Sequence, residues 1–267
     1  VVASRGLGDV YKRQDLSDAY LSVIKSLQHA AMAVDRKLVI DWIEASHLEH
    51  GWDSEEHTAA WTMLKAADGV LVPGGFGDRG IEGKILAAQH ARTNKVPYLG
   101  ICLGLQIATI EFCRNVLGME GANSTEFEDN PEHAAVVFMP EISKTHLGGT
   151  MRLGSRPTLW QHEGSTIREL YGPGDAVDER HRHRYEVNPD LIHSIESEGL
   201  VFVGKDESGQ RCEIFELNDH PYYVGVQFHP EFKSRPGRPS PPFLGLLKAA
   251  SGPVSYTHLR AHETLQH

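Results

Sequence analysis

The sequence predicts an α/β domain built on a largely parallel sheet flanked by helices. Two observations carry that prediction. Through the first half of the chain, segments with a 3.6-residue apolar period alternate with short apolar segments, the order that βα units produce. Two of the short segments, residues 69–72 (GVLV) and 96–101 (VPYLGI), are nearly continuous apolar runs, as strands covered on both faces are. With 267 residues, 40% of them hydrophobic, no internal repeat and no low-complexity stretch, the chain suits one compact domain.

The elements follow in order. Ser17 can cap a helix that places Tyr20, Leu21, Ile24, Leu27 and Ala31 on one face. Residues 37–43 (KLVIDWI) read as a strand, and 55–67 as a helix through Ala59, Ala60, Met63, Leu64 and Ala67. After the run at 69–72 come a helix near 80–93, the strand at 96–101 and a helix near 103–117. From about 121 to 189 glycines, prolines and charges interrupt short strands. Strands then return at 200–205, 211–217 and 222–228, with DESG (206–209) turning a hairpin between the first two, and a helix opened by proline runs over 241–251.

Both ends stand apart. Residues 1–14 and 253–267 carry no helical or strand period, and they share a hidden relation. A reading of residues 5–14 as CGT GGG CTC GGA GAT GTG TAT AAG AGA CAG, reverse-complemented and begun at its third base, encodes VSYTHLRAH, which is residues 254–262. The two ends therefore resemble translated sequencing-adapter DNA. We expect both to be non-native and take 15–252 as the domain.

Composition excludes several classes. Asp and Glu outnumber Lys and Arg by 36 to 26, a formal net charge of −10, so a nucleic-acid partner is not expected. No apolar run approaches the roughly 20 residues that span a bilayer and no signal peptide opens the chain, so no membrane partner is expected either. The three cysteines, Cys102, Cys113 and Cys212, are odd in number and lack metal-type spacing, which points to a reducing cytoplasm.

One of these cysteines stands apart. Gly100 and Gly104 flank Cys102 as G-x-C-x-G between an apolar strand and a helix, the thiol counterpart of a hydrolase nucleophile elbow. The helix starting at Leu103 aims its free N–H groups at the sulfur and favours the thiolate. Cys113 within that helix and Cys212 within a strand read as small core hydrophobes. A thiolate nucleophile needs a base and a group to orient the base. The segment VGVQFHPEF (224–232) offers His229 as base and Glu231, two residues on, as its partner. The glycines of VPGGFGDRG (72–80) can turn N–H groups toward a developing oxyanion, with the N–H of Leu103 as second donor. That loop lacks the Gly-Lys-Ser/Thr ending of a phosphate-binding P-loop. His181 and His183 of RHRHR (180–184) share a strand face, but no third or fourth ligand stands nearby in sequence, so no metal is expected.

These three segments resemble the class I, triad-type glutamine amidotransferases, and within them the glutaminase domains of CTP synthases. The similarity is carried by DLSDAYLSVIKSLQHA, LVPGGFGDRGIEGKI, NSTEF, GGTMRLG, ERHRHRYEVNP and QFHPEF, and spans 15–252. It implies a flavodoxin-like architecture, with Cys102 as nucleophile, His229 as base and Glu231 as its partner. It also implies that the main chains of Gly75 and Leu103 hold the oxyanion. Glu126 would take the substrate ammonium, with Phe76, Gly104, Leu105, Gln106 and Arg184 completing the L-glutamine site. Charge suits this, because a zwitterion needs an acceptor for its ammonium and donors for its carboxylate.

The segment 146–154 (HLGGTMRLG) resembles the family's lid, where GTP acts as allosteric activator. The family's amidoligase domain, which uses ATP and Mg to aminate UTP, has no counterpart in this sequence, so no cofactor is expected here. An amidoligase domain in the same parent chain and a homo-oligomer of that parent are implied. A hydrophobic strand that the family places just before the first helix is also missing, its place in the sequence taken by the adapter-like residues. Two other readings remain open on sequence: a free-standing γ-glutamyl hydrolase of the same fold, and a nucleotide-sensing module with an inactive site.

Overall fold

A computed structural model describes residues 20–49, 54–75, 77–139 and 151–252, together with the main chain of 2–5. In chain order the strands are β1 (Val2–Arg5), β2 (Asp41–Glu44), β3 (Val70–Val72), β4 (Tyr98–Ile101), β5 (Ala122–Ser124), β6 (His133–Phe138), β7 (Arg152–Trp160), β8 (Ala176–His183), β9 (Tyr185–Val187), β10 (Leu200–Lys205), β11 (Cys212–Leu217) and β12 (Tyr223–Val226). The helices are α1 (Leu21–Ala33), α2 (Glu55–Ala66), α3 (Ile81–Thr93), α4 (Leu103–Asn115), α5 (Thr166–Tyr171), α6 (Ile192–Ser197) and α7 (Pro241–Ala250).

Nine strands form one mixed sheet in the order β2-β1-β3-β4-β12-β11-β10-β7-β8, and β5-β6-β9 form a small second sheet. From β2 to β12 every neighbour is parallel, and from β12 to β8 every neighbour is antiparallel. The expectation of parallel strands thus applies to the half built from alternating strand and helix. Beyond α4 that alternation stops, and β10–β11 and β11–β12, joined by short turns, pair antiparallel. The segment 121–189, read as short interrupted strands, includes the long β7–β8 ribbon, in register from Arg152↔His183 to Leu159↔Ala176.

The continuous apolar runs have a simple cause. Val70, Val72 and Tyr98 point into a core shared with Ile85, Ala88, Ile107 and Ile110 of α3 and α4. Their neighbours Leu71, Leu99 and Ile101 point into the opposite core, against Leu27 and Ala30 of α1 and Phe243 and Leu246 of α7. With helices on both faces, neither set of alternate positions tolerates a polar side chain. A bidentate ion pair, Arg92 Nε and Nη2 to Glu111 Oε2 and Oε1 at 2.8 and 2.7 Å, fastens α3 to α4.

Three details differ from the sequence reading. The second strand begins at Asp41, so residues 37–40 lie outside it. Helix α1 begins at Leu21, and Ser17 lies outside the described residues. The place between β2 and β3, for which no native strand was expected, is held by Val2–Arg5, parallel to both neighbours. Pairing there is made by main-chain groups, so it needs an extended segment and no hydrophobic period. Among the described residues, no helix is long and apolar enough to cross a membrane.

Candidate active site

Three parallel strands end side by side, and their ends build the site. Val72 of β3 pairs with Gly100, and Ile101 of β4 pairs with Val226 of β12. The next residue after Ile101 is Cys102, whose N–H donates to Val226 O at 2.7 Å and whose φ is +52°. This left-handed conformation is costly for a residue with a side chain, about 1–3 kcal/mol, and holds the thiol at the head of α4. The flanking glycines serve close approach. A Cβ on Gly100 would stand 2.5 Å from Gly104 O, and one on Gly104 would stand 2.2 Å from Val72 O. The Tyr98 hydroxyl donates to Gly104 O at 2.9 Å and pins the first turn of the helix. Main-chain bonds back to Cys102 O begin at Leu105 N and Gln106 N, so the N–H of Leu103 belongs to the unpaired helix start beside the sulfur.

His229 follows β12 by three residues, and its N–H donates to Arg180 O at 2.8 Å. Its Nδ1 lies 2.8 Å from Glu231 Oε1, with Pro230 and Glu231 starting a 3-10 turn, Pro230–Lys233. Burial alone would push the imidazolium's pKa down. Hydrogen bonds to Cys102 and Glu231 together outweigh it and hold the ring's pKa up at about 10. A protonated imidazole between a carboxylate and a sulfur is the state that a thiolate nucleophile needs. The other two cysteines contrast with this: burial pushes Cys113 up to about 12 and Cys212 well above the ordinary thiol value. Both are inert in the sense expected from the sequence.

Beside the sulfur lies a cavity of about 180 Å³. It brings together Gly75, Cys102, Leu103, Gln106, Glu126 and Arg184 from the sequence reading, adds Arg182 and Tyr185, which that reading did not single out, and includes His183, which it weighed only as a metal ligand. Glu126 sits just past β5; burial raises its carboxyl pKa and Arg184 opposes that shift. The Gln106 amide donates to Tyr185 O at 2.8 Å and to Gln227 Oε1 at 3.3 Å, while Gln227 Nε2 reaches Cys102 Sγ at 3.7 Å. Gln227 therefore ties Cys102 to the cavity wall. Its signal was present in the sequence, two residues before His229 on the same strand extension.

Not every expected residue reaches the cavity. Gly104 packs on β3, and the Leu105 side chain is fully buried in the core behind the wall, so neither side of that turn meets a ligand through a side chain. Phe76 lies outside the described residues, as does 140–150, which includes the first part of the lid-like segment. The remainder of that segment, from Arg152, opens β7.

The histidines of RHRHR gain a third partner that sequence distance concealed. Donor atoms of His181, His183 and Glu213 lie within 4.8 Å of one another, all buried. Arg152 Nη2 stands 3.2 Å from Glu213 Oε1, and His181 Nδ1 is hydrogen-bonded to His183 Nε2 at 2.9 Å.

Residues 15–249 match the family Glutamine amidotransferase class-I, and the chain belongs to that family. Within it, the similarity runs to CTP synthases. The chain is 61% identical over 246 residues to the CTP synthase of Dictyostelium discoideum, which covers 90% of this chain and 43% of that protein. It is 58% identical over 252 residues to CTP synthase 2 of Saccharomyces cerevisiae, covering 91% of this chain and 44% of that protein. The chain thus spans less than half the length of these relatives. Among solved structures it is similar to the glutaminase domain of Trypanosoma brucei CTPS with bound acivicin, at a TM-score of 0.82 and 36% identity, covering 94% of this chain and 93% of that one. It corresponds to the glutaminase domain of CTP synthases.

Proposed function

We propose that this chain hydrolyses the side-chain amide of L-glutamine. One observation carries the reading: Cys102 stands at the head of α4 beside His229, whose Nδ1 lies 2.8 Å from Glu231 Oε1. The cavity beside that cysteine presents one acid, Glu126, and two guanidinium groups, Arg182 and Arg184.

The Cys102 thiolate attacks the carboxamide carbon, and the carbonyl electrons move to oxygen. The oxyanion faces the N–H of Leu103 and the main chain of Gly75. As the carbonyl re-forms, the C–N bond breaks and His229 gives its proton to the departing nitrogen, releasing ammonia and leaving a thioester. Neutral His229 then takes a proton from water as the water attacks. The second collapse breaks the C–S bond, releases glutamate and restores the thiolate and imidazolium. Glu231 holds the ring's orientation throughout. Glu126 binds the ammonium of the amino acid and Arg184 its carboxylate.

In the longer protein of which this chain is part, ammonia passes to UTP in an amidoligase domain that uses ATP and Mg, with GTP as activator, in a cytoplasmic homo-oligomer. The relatives' length and names support a longer parent protein that forms CTP. The direct test incubates this chain with glutamine and measures glutamate. Release of glutamate without CTP from UTP and ATP is expected. Faster turnover of γ-glutamyl peptides than of glutamine would overturn the assignment in favour of a peptidase.

A further inference from the structure

One buried amide touches the reacting atom and has no part in the triad. Gln227 stands just past β12, where its N–H donates to Glu213 O at 2.8 Å, and it is fully buried. Its Nε2 lies 3.7 Å from Cys102 Sγ, and its Oε1 accepts from Gln106 Nε2 at 3.3 Å. Gln106, on α4 and also buried, donates from the same Nε2 to Tyr185 O at 2.8 Å. Two side-chain amides thus run in series from a main-chain carbonyl to the sulfur.

The carbonyl end decides which way both amides point. A main-chain oxygen can only accept, and Tyr185 is held in β9 by pairing with Phe138 of β6. Turning the Gln106 amide over would set its oxygen against Tyr185 O, acceptor to acceptor. With Gln106 so fixed, turning Gln227 over would set its nitrogen against Gln106 Nε2, donor to donor. Either reversal opposes two like groups away from water. The N–H of Gln227 therefore faces the sulfur, in a direction set by a group that cannot turn.

The other groups around the sulfur are His229, with Glu231 behind it, and Arg182 O at 4.0 Å. Glu126, Arg182, His183 and Arg184 line the same cavity. Arg182 O is an acceptor and suits a thiol, whereas Gln227 Nε2 is a donor and suits a thiolate. His229 gives its proton away during the reaction, but the amide keeps its own.

We infer that Gln227 is a catalytic donor that stabilises the Cys102 thiolate, and that Gln106 is the positioning residue that keeps this donor turned to the sulfur. The N–H meets the thiolate before it attacks. It meets the sulfur again when the C–S bond breaks and the electron pair of that bond returns there. Being neutral, the amide adds no charge of its own to the site. The inference rests on the glutaminase reading for the role of Cys102.

Alkylation by iodoacetamide tests this without glutamine, so the place of Gln106 in the cavity does not enter. The rate at Cys102, followed by peptide mass, rises with pH as the thiol ionises. Measured from about pH 4 to about pH 10, the rise should lie about one unit higher in Gln227→Met than in the unmutated chain, about a tenfold loss of thiolate below it. The plateau rates should agree within about threefold. Gln106→Met should move the rise by about half a unit, and the double variant no further than Gln227→Met alone. An unmoved rise in folded Gln227→Met overturns the inference, as does an equal slowing at every pH, which marks a packing role. Additive shifts overturn the part given to Gln106. Should Gln227→Met not fold, Gln106→Met decides, and an unmoved rise there overturns the inference. If Cys102 of the unmutated chain reacts no faster than Cys113 and Cys212, no thiolate is held there and the glutaminase reading falls too. A fast Cys102 with an unmoved rise overturns the inference alone, so the two failures are distinguishable.

Discussion

The two halves of the nine-stranded sheet do different work. In the parallel half the inner strands β3, β4 and β12 are apolar, and the candidate site residues sit at their ends: Cys102 after β4, His229 after β12 and Gly75 after β3. The antiparallel half, β11 to β8, carries ionisable groups within the strands. There burial raises Glu213 to about 8 and lowers His181 to about 2. The difference follows from topology. Parallel strands joined by helices send all their carboxyl ends to one edge, where helix starts and loops can converge on a ligand. An antiparallel ribbon has no such edge, but it offers alternate side chains along its length, which suits it to forming a wall. Gly75, Cys102, Leu103 and Gln106 reach the cavity from the parallel half, Arg182 and His183 from β8, and Glu126 from beyond β5 of the small sheet.

The largest expected effect tests the parallel half. Cys102→Ser keeps the shape but supplies a poorly ionised hydroxyl, and glutamine hydrolysis should fall by about a thousandfold or more. Cys113→Ser and Cys212→Ser should stay within about threefold, since both thiols are held protonated in apolar surroundings. Comparable losses at all three positions, with rates read as glutamate release, would mean that the effect is on folding and that the strand ends hold no special chemistry.

A second substitution separates stability from catalysis within the same half. Glu111 is fully buried and bidentate to Arg92. Glu111→Leu leaves that guanidinium unpaired between α3 and α4, and breaking a buried pair costs about 3–5 kcal/mol. Urea unfolding should show the loss, while the folded fraction keeps its turnover. A preserved midpoint would mean that the helices are not fastened there.

How much of this was legible varies with the half. Strands covered on both faces must be apolar, so GVLV and VPYLGI could be read directly, and the close approach of α4 to β3 and β4 left its mark as Gly100 and Gly104. His229 and Glu231 stand within one short segment, but the parallel pairing of β12 with β4 that brings them to Cys102 lies beyond the stretch of α/β alternation and could not be read from it. The ribbon was opaque because its buried positions are polar. RHRHR showed two histidines on one strand face, but their third partner, Glu213, is hidden inside the apolar-looking RCEIFEL and is revealed only by the sheet. Val2–Arg5 was illegible for another reason: main-chain pairing leaves no side-chain pattern.

The ribbon's histidines predict an acid sensitivity that the parallel half does not share. His181 and His183 titrate near 6.5 when unfolded and at about 2 and about 3 when folded. Folded values that are depressed mean that the unfolded chain binds the extra protons. Stability from this source is complete above about pH 6.5 and declines as pH falls toward 3, by about 1.4 kcal/mol per pH unit for each histidine. Glu213 and Glu186, raised by burial to about 8 and about 7, act oppositely and gain stability as pH falls through those values toward 4.5. The histidine part is isolated by difference. Plotted against pH from about 6 to about 4, the unfolding free energy of His181→Leu should have a slope smaller by about one proton than that of the unmutated chain. Parallel curves would show that His181 is already charged in the folded protein.

The smallest effect concerns the periphery of the parallel half. Ser54 caps α2, its Oγ accepting from the His57 N–H at 3.1 Å, with Glu55 and Glu56 in the first turn. Ser54→Ala removes that acceptor and costs about 1 kcal/mol, a drop of about 2–4 °C in Tm for a domain of this size. The helix should nevertheless stay docked. His57 Nδ1 meets His47 O at 2.9 Å and Trp61 Nε1 donates to Leu48 O at 3.2 Å, so two side chains still tie α2 to the 3-10 turn Ala45–Leu48. Leu64 remains buried against Ile43 and Leu48 in the core. Since the site is assembled from the ends of β3, β4 and β12, loosening a helix over the far strands should not move Cys102 or His229. Glutamate release by Ser54→Ala at 25 °C should therefore equal that of the unmutated chain within about twofold, even though its Tm is lower. A larger loss of rate with most of the chain still folded would show that the outer helices set the geometry of the strand ends, and the division of labour between the two halves would then have to be redrawn.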